Sequence, residues 1–132
     1  MANQIFVNVH VADLPKSRAF YETLGFSINE QFSDDTAACV VISDHIFVML
    51  LTHDKFSQFT SKEISDAHKS AEVLNALSID SKEEVNRIAD AAVNAGGTEG
   101  KSQDHGFMYS RSFADLDGHI WELVWMDMSA MG

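Results

Sequence analysis

The sequence predicts an α+β fold made of two consecutive β-α-β-β-β modules. Each half of the chain shows an alternating apolar stretch, then an amphipathic helical stretch, then three further alternating stretches. A short phrase also recurs, because residues 45–51 (HIFVMLL) align with residues 119–125 (HIWELVW), and each copy falls on the last predicted strand of its half. These two observations together indicate an internal duplication.

The first module is predicted over about residues 4–52. Residues 5–11 alternate and are rich in β-branched side chains, which is typical of a strand. Asp13 is a suitable cap for the helix that follows, Pro15 suits its first turn, and Gly25 marks its end. The remaining three strands of the module are predicted at residues 26–32, 37–42 and 46–51.

The second module is predicted over about residues 73–127, after a polar connection at about residues 53–72 that lacks a clear period. Long connections in compact domains are often functional. Ser81 and Glu84 form a capping-box pattern that starts the helix of this module, and Gly96 ends it. Its four strands are predicted at residues 73–79, 98–101, 107–113 and 120–126.

The composition is that of one globular domain over residues 1–132. Of these 132 residues, 20 are acidic and 9 are basic, which gives a net charge of −11. A field of this sign repels a phosphate backbone, so we expect no nucleic-acid partner. The chain has no apolar run of membrane-spanning length and no signal-peptide pattern at its start, and its single cysteine, Cys39, agrees with a reducing compartment. We therefore expect a cytoplasmic protein that has no membrane partner.

Residues 112–126 contain a predicted hairpin that carries an unusual carboxylate. Asp115 and Gly118 belong to the turn signal DLDG, which stands between two apolar runs. On the second arm, alternation puts Glu122 among apolar side chains on one face of the strand. Because burying an unpaired charge is costly, Glu122 needs a partner, a metal or a function. We expect Arg111, on the preceding strand, to pair with it.

Two phrases connect the chain to a known family. The stretch VADLPKSRAFYETLGF at residues 11–26 and the stretch DLDGHIWEL at residues 115–123, together with the two predicted modules, resemble the vicinal oxygen chelate superfamily. This superfamily includes glyoxalase I, extradiol dioxygenases and bleomycin-resistance proteins. The resemblance implies a curved mixed sheet with an open trough, which is the glyoxalase and bleomycin-resistance fold. Its members commonly pair modules between chains, so we expect a homodimer. Either modules of different subunits complete each trough, or modules pair within a chain and the chains dimerise edge to edge.

The resemblance also implies where a metal would bind. In metal-dependent members the ligands lie in the trough, on the first and last strands of each module. These positions correspond here to Phe6, Val48, Leu74 and Glu122, and among them only Glu122 can bind a cation. We therefore expect the usual metal site to be absent and no cofactor to be bound. A divalent metal held by His10, Glu122 and a group from another subunit is the less favoured alternative.

The implied function is the binding of a small organic molecule in an apolar trough, without the metal of the family. If the protein is instead a lyase, isomerase or dioxygenase with unusual ligands, Glu122 or His10 is the expected catalytic base. A third alternative is a protein-association module whose trough is filled by its own side chains. The side chains expected to contact the ligand are Phe6, Asn8, His10, Val48, Leu50, Leu74, Tyr109, Arg111, Glu122 and Met126.

Overall fold

The computed structural model describes residues 1–131. The chain divides into two compact units, residues 1–66 and the described residues from Ala67 onward, and the division falls inside the predicted connection. Each unit contains one mixed sheet and its helices, so the predicted α+β class is confirmed. In the described part of the chain, no helix has the length and the apolar character needed to cross a bilayer.

The first unit is built on a four-stranded sheet. Its elements are β1 (Ile5–Val11), α1 (Leu14–Thr23), β2 (Ser27–Asn29), β3 (Ala37–Val41), β4 (Ile46–Thr52) and α2 (His53–Phe56). The strand order is β1-β4-β3-β2, with β1 parallel to β4 and the other pairs antiparallel. Because β1 and β4 run in the same direction, the chain between them must cross over, and it does so through α1 and the two short strands.

Helix α1 begins and ends as the sequence predicts. The side chain of Asp13 accepts a hydrogen bond from the backbone N–H of Lys16 at 3.1 Å, which caps the first turn. The predicted apolar stripe of Phe20, Tyr21 and Leu24 is buried, and the helix packs against β3 and β4. Burial of each such side chain contributes about 1.5–3 kcal/mol to folding. This stripe therefore supplies much of the core of the first unit.

The strand predicted at residues 26–32 is wrong in its second half. Strand β2 ends at Asn29, whose side-chain oxygen accepts a hydrogen bond from the N–H of Gln31 at 3.0 Å, and Glu30–Phe32 form a 3-10 turn. The hydroxyl of Ser33 then accepts a hydrogen bond from the N–H of Cys39. Local bonds between side chain and backbone thus replace the strand pairing that the apolar pattern favours.

The second unit is built on a five-stranded sheet. Its elements are β5 (Asn75–Ser78), α3 (Lys82–Asn94), β6 (Thr98–Glu99), β7 (Gln103–Asp104), β8 (Met108–Ala114), β9 (Ile120–Met126) and α4 (Met128–Met131). The strand order is β5-β9-β8-β6, and β7 also pairs with β8. Strands β5 and β9 are parallel, as β1 and β4 are in the first unit. The strand predicted at residues 98–101 forms only over its first two residues, as β6, and a second short strand, β7, follows the predicted range.

Helix α3 confirms the predicted Ser81 cap and apolar stripe, while the carboxylate of Glu84 accepts hydrogen bonds from Arg87. The hydroxyl of Ser81 accepts a hydrogen bond from the N–H of Glu84 at 3.1 Å, which satisfies one of the free donors at the start of the helix. The predicted stripe is buried and consists of Val85, Ile88, Ala89 and Ala92. Its small alanines let the helix approach the sheet closely, and α3 packs against β6, β8 and β9.

The hairpin between β8 and β9 forms where the DLDG signal predicts it. One side-chain oxygen of Asp115 accepts hydrogen bonds from the N–H groups of Asp117 and His119, at 3.0 and 2.9 Å. Gly118 adopts a φ of +92°. A Cβ at this position would lie 2.7 Å from the backbone carbonyl carbon of Ala67. Both its conformation and its close neighbour therefore require glycine here.

Candidate ligand-binding site

The face of the second sheet that carries Glu122 is formed almost entirely by uncharged side chains. Glu122 lies opposite Ser112 on β8 and beside Ala76 on β5. Since paired residues share a face and neighbours alternate, the register assigns the side chains of one surface, here called the Glu122 face. Its strand residues are Ala76, Ser78, Thr98, Gln103, Met108, Ser110, Ser112, Ala114, Ile120, Glu122, Val124 and Met126. Glu122 is the one ionisable side chain among these strand positions.

Arg111 and Tyr109 lie on the opposite face, so the expectation that they line a surface with Glu122 is wrong. Arg111 pairs with Leu123 in the β8–β9 ladder, and its guanidinium donates hydrogen bonds to Asp90 and Glu99. These partners lie on α3 and β6, which hold the guanidinium on the helix-covered side of the sheet. The expected ion pair between Arg111 and Glu122 is excluded by the alternation of the strand, which separates neighbouring positions onto two faces.

Asn86 of α3 joins the two misassigned side chains. Its side-chain oxygen accepts a hydrogen bond from the hydroxyl of Tyr109 at 2.6 Å and from the guanidinium of Arg111 at 3.0 Å. The ammonium of Lys82 lies 5.8 Å from the centre of the Tyr109 ring and 5.2 Å from that of Trp125. These contacts fasten the helix to the sheet, and they account for both residues without a ligand.

Glu122 is partly buried. It forms no ion pair and no hydrogen bond with any residue that the structure describes. Its two sheet neighbours are small, because Ser112 and Ala76 flank it. A carboxylate that is partly removed from water gains strongly from any donor or cation placed next to it.

A pocket of about 370 Å³ opens at this carboxylate. Leu74 and Ile120 supply apolar walls, Ser112 and Glu122 supply polar groups, and residues 98–101 form a further wall. Leu74 thus lies in the same pocket as Glu122, as the sequence predicts. The roles of Ser112, Ile120 and the wall at residues 98–101 were missed. Ser112 and Ile120 could have been found from strand alternation, which puts them on the same face as Glu122. The wall at residues 98–101 depends on pairing with β8, which no local sequence pattern indicates.

The wall at residues 98–101 is held by close contact with β8. The N–H of Gly100 donates to the carbonyl of Ser112 at 2.9 Å, and the hydroxyl of Ser112 donates to the carbonyl of Lys101 at 2.8 Å. A Cβ at Gly100 would lie only 2.3 Å from that hydroxyl oxygen. Glycine at position 100 therefore allows the wall to reach the strand.

A second pocket lies partly on the same face. It has a volume of about 590 Å³, and its lining includes Ala76, Ser78, Val124 and Met126. Met126, a predicted contact residue, is thus on the Glu122 face but in this second pocket. Ala76 and Ser78 have small side chains, which project little from the sheet into this pocket.

In the first unit, the predicted surface mixes residues from two faces. The ring of Phe6 stacks on that of Phe47 with centroids 4.8 Å apart, and Asn8 lies beside Met49 in the β1–β4 ladder. Val48 and Leu50 pair instead with Val7 and Val9, and both are fully buried. The expectation that Val48 and Leu50 line a surface with Phe6, Asn8 and His10 is therefore wrong.

The error at Val48 comes from an alignment that is wrong by one residue. In the first hairpin the N–H of Ile42 donates to the carbonyl of Ile46, and in the second the N–H of Asp115 donates to the carbonyl of His119. Ile46 therefore corresponds to His119, and Met49 corresponds to Glu122. The repeated phrase suggested the neighbouring position because both strands are apolar on both faces. A shift of one residue exchanges the two faces of a strand.

His10 lies on the same face as Phe6 and is 8% exposed. Its ring meets the edges of two rings from α2, His53 at 5.1 Å and Phe56 at 5.5 Å between centroids. The contact with His53 was missed, because the polar connection gave no sign of a helix packed onto this face. His10 belongs to the first unit and Glu122 to the second.

The comparisons with known proteins agree with this architecture. Residues 4–43 match the family described as bleomycin resistance protein-like N-terminal. The solved structure of the hypothetical protein SA1046 from S. aureus is similar with a TM-score of 0.79 and 28% identity, over 95% of each chain. The chain has the vicinal oxygen chelate fold. The resemblance drawn from the sequence is confirmed at this level.

Two further structures share this vicinal oxygen chelate fold. A glyoxalase/bleomycin resistance protein/dioxygenase family enzyme from Burkholderia phytofirmans PsJN is similar with a TM-score of 0.75 and 20% identity, over 92% of this chain and 96% of that one. The fosfomycin resistance protein FosX from Listeria monocytogenes is similar with a TM-score of 0.69 and 20% identity, over 95% and 93%. No curated protein matches the sequence.

The residues at the family's metal positions do not fit a metal ion. With the corrected alignment, the four positions hold Phe6, Met49, Leu74 and Glu122, and three of these have no hard ligand atom. Within residues 1–131, no group of three or more histidine, cysteine, aspartate or glutamate side chains is arranged to hold a metal. Of the four side chains at the positions that the resemblance implies, only that of Glu122 carries a charged ligand atom.

Proposed function

We propose that this protein binds a small organic molecule in the pocket beside Glu122, with the carboxylate as the polar anchor of the ligand. The observation that carries the proposal is the environment of Glu122. The carboxylate stands in a largely apolar pocket, and it has no partner among the described residues. An unpaired and partly desolvated charge costs free energy, and a ligand that donates hydrogen bonds to it recovers that cost.

The shape of the pocket supports the same proposal. Its volume of about 370 Å³ is within the usual range of small-molecule sites. Apolar walls with a few polar groups are typical of pockets that bind and orient an organic ligand, and here the walls are Leu74 and Ile120 and the polar groups are Ser112 and Glu122. Structural neighbours named for bleomycin or fosfomycin resistance support the binding of an organic molecule.

The proposal includes no resident metal. The side chains of Phe6, Met49 and Leu74 stand where the resemblance places ligands, and none of them binds a hard cation. Binding, rather than metal-dependent chemistry, is therefore the function that this set of side chains supports. Glu122 is a base only toward a ligand that presents an acidic proton within hydrogen-bonding distance of its carboxylate.

A thermal-shift screen against metabolites and antibiotics tests the proposal, because a ligand that binds only the folded chain raises its melting temperature. Each compound that raises it is measured again with Ala114→Trp, which places an indole ring in the pocket. The matched control is Gln103→Trp, which adds the same ring to an exposed edge strand away from the lining. We expect the stabilisation to be lost with Ala114→Trp and kept with Gln103→Trp. Equal stabilisation of both variants by every active compound would refute the proposed site.

A further inference from the structure

We infer that the ligand of the Glu122 pocket is an organic cation, with an ammonium group on a compact apolar body. This inference rests on the proposed function and adds the chemical class of the ligand. It starts from the charge of the surface. At the strand positions of the Glu122 face, the described residues present one ionisable group, and that group is negative.

The charged groups at the rim of the pocket leave this negative charge in place. Glu99 also lines the pocket, but its carboxylate is held by the guanidinium of Arg111. Lys101 lines the pocket as well, but it is exposed and forms no ion pair with Glu122. A solvated lysine is screened by water more strongly than a partly buried carboxylate. The pocket floor therefore keeps an uncompensated carboxylate.

The neighbours of Glu122 leave space and acceptors for an ammonium group. Ala76 and Ser112 flank the carboxylate, and neither side chain reaches over it. The Ser112 hydroxyl uses its proton toward the carbonyl of Lys101, so its oxygen keeps lone pairs that accept a hydrogen bond. An ammonium group has three donors and no acceptor, which matches a carboxylate beside such a hydroxyl.

The same site disfavours anions and divalent metal ions. An anion placed beside Glu122 would add a second buried negative charge, and the net charge of −11 also opposes its approach. A divalent ion needs more ligands than one carboxylate and one hydroxyl, since calcium takes about six to eight oxygens and zinc about four donors. The apolar walls formed by Leu74 and Ile120 would also face the water shell of such an ion. They suit the hydrocarbon body of an organic cation instead.

Three probes that share a benzyl group test the inference by protein-detected NMR titration at pH 7 and low salt. Benzylammonium carries the cation, benzyl alcohol is its neutral counterpart, and phenylacetate is the anion. We expect benzylammonium to shift the amide signals of Ala76, Ser112 and Ile120 with an affinity roughly tenfold or more above that of benzyl alcohol, as a charge-assisted hydrogen bond gives. Phenylacetate should bind more weakly than both.

Two pairs of variants assign the preference to the carboxylate. Glu122→Gln should bind benzylammonium and benzyl alcohol equally, whereas Glu63→Gln, which removes the same charge from an exposed loop, should keep the preference. Ala76→Lys places an ammonium beside Glu122 from an exposed position, and should abolish binding of benzylammonium. Ala76→Gln is its size-matched control and should retain it. The Ala76 pair keeps the test decisive if Glu122→Gln does not fold.

The outcomes separate this inference from the proposed function. If benzyl alcohol or phenylacetate shifts the same amides as strongly as benzylammonium, the pocket binds organic molecules but the cation inference is overturned. Tighter binding of magnesium or zinc alone at Glu122 than of benzylammonium would overturn the cation inference as well. If none of the probes shifts these amides and the thermal-shift screen also finds no ligand, both the inference and the proposed function fail.

Discussion

Arg111 and Glu122 lie on opposite faces of one sheet, although their residue types suggest an ion pair. Arg111 sits opposite Leu123, and Glu122 sits opposite Ser112. The guanidinium is bound by groups of α3 and β6, while the carboxylate is left to the pocket. Arg111 thus stabilises the packing of α3 and β6, whereas Glu122 is a candidate ligand contact. Variants of the two residues should therefore differ in stability.

Arg111→Met should destabilise the protein by about 1–3 kcal/mol, because it leaves the acceptors on Asn86, Asp90 and Glu99 without their shared donor. Glu122→Gln should leave stability unchanged or raise it by up to about 1 kcal/mol at pH 7, since it removes an unpaired, partly buried charge. Urea denaturation of both variants and the wild type measures the two changes. Equal losses in the two variants would mean that Glu122 has a structural partner after all.

Gly118→Ala should destabilise the second unit by about 2 kcal/mol or more, because it combines an unfavourable positive φ with a backbone clash. The added Cβ would lie 2.7 Å from the carbonyl carbon of Ala67. Gly106→Ala is the matched control, since Gly106 also has a positive φ but no atom within 4 Å of the added Cβ. The control should cost about 1 kcal/mol. Thermal unfolding of both variants compares the two losses, and equal losses would show that the contact with Ala67 carries no cost.

Gly100→Ala should move the Ser112 hydroxyl and distort the wall of the pocket. The added Cβ would overlap the hydroxyl oxygen at 2.3 Å but would lie 3.4 Å from the Ser112 Cβ. The double variant Gly100→Ala with Ser112→Ala should therefore recover stability relative to the sum of the single changes, by about 1 kcal/mol in a double-mutant cycle. Additive losses would indicate that the wall yields without touching Ser112.

Cys39 should resist thiol reagents until the first unit unfolds. The side chain is 1% exposed, and burial raises the pKa of its thiol. Because the thiolate is the reactive form, labelling of the native protein at neutral pH should be slow and should accelerate with denaturant. Because the folded chain favours the neutral thiol, Cys39 contributes to the free energy of unfolding below the usual thiol pKa. That contribution is lost as the pH rises above this value. Rapid labelling of the folded chain would contradict this burial.

The expected homodimer stays a prediction, and the physical reason for it is the exposed edges of the two sheets. Strand β1 is an edge of the first sheet and exposes Ile5 and Phe6, while β5 is an edge of the second sheet and follows the exposed Val73 and Leu74. Exposed apolar edge strands favour pairing with another chain. Light scattering at micromolar concentration should give about twice the chain mass of 14.6 kDa. A mass equal to one chain would refute the dimer.

Local physical chemistry determined much of this protein from the sequence alone. The caps at Asp13 and Ser81, the buried stripes of both long helices and the DLDG hairpin were all predicted and are confirmed. Each depends on residues within about one turn of one another, so the interaction that forms it is visible in a short window of sequence. The duplicated fold follows from the order of these elements.

Tertiary pairing decided the site. The sequence singled out Glu122 and Leu74, but it assigned Val48 and Leu50 to the wrong face and gave Arg111 the wrong partner. When a strand is apolar on both faces, its sequence does not indicate which face is buried. Only the pairing register shows that Met49, rather than Val48, shares a face with Asn8. The wall at residues 98–101 likewise exists because Gly100 meets Ser112, a residue distant in sequence. The sequence alone thus identifies Glu122, because it is a carboxylate in an otherwise apolar strand. The pairing of distant strands determines which side chains surround it.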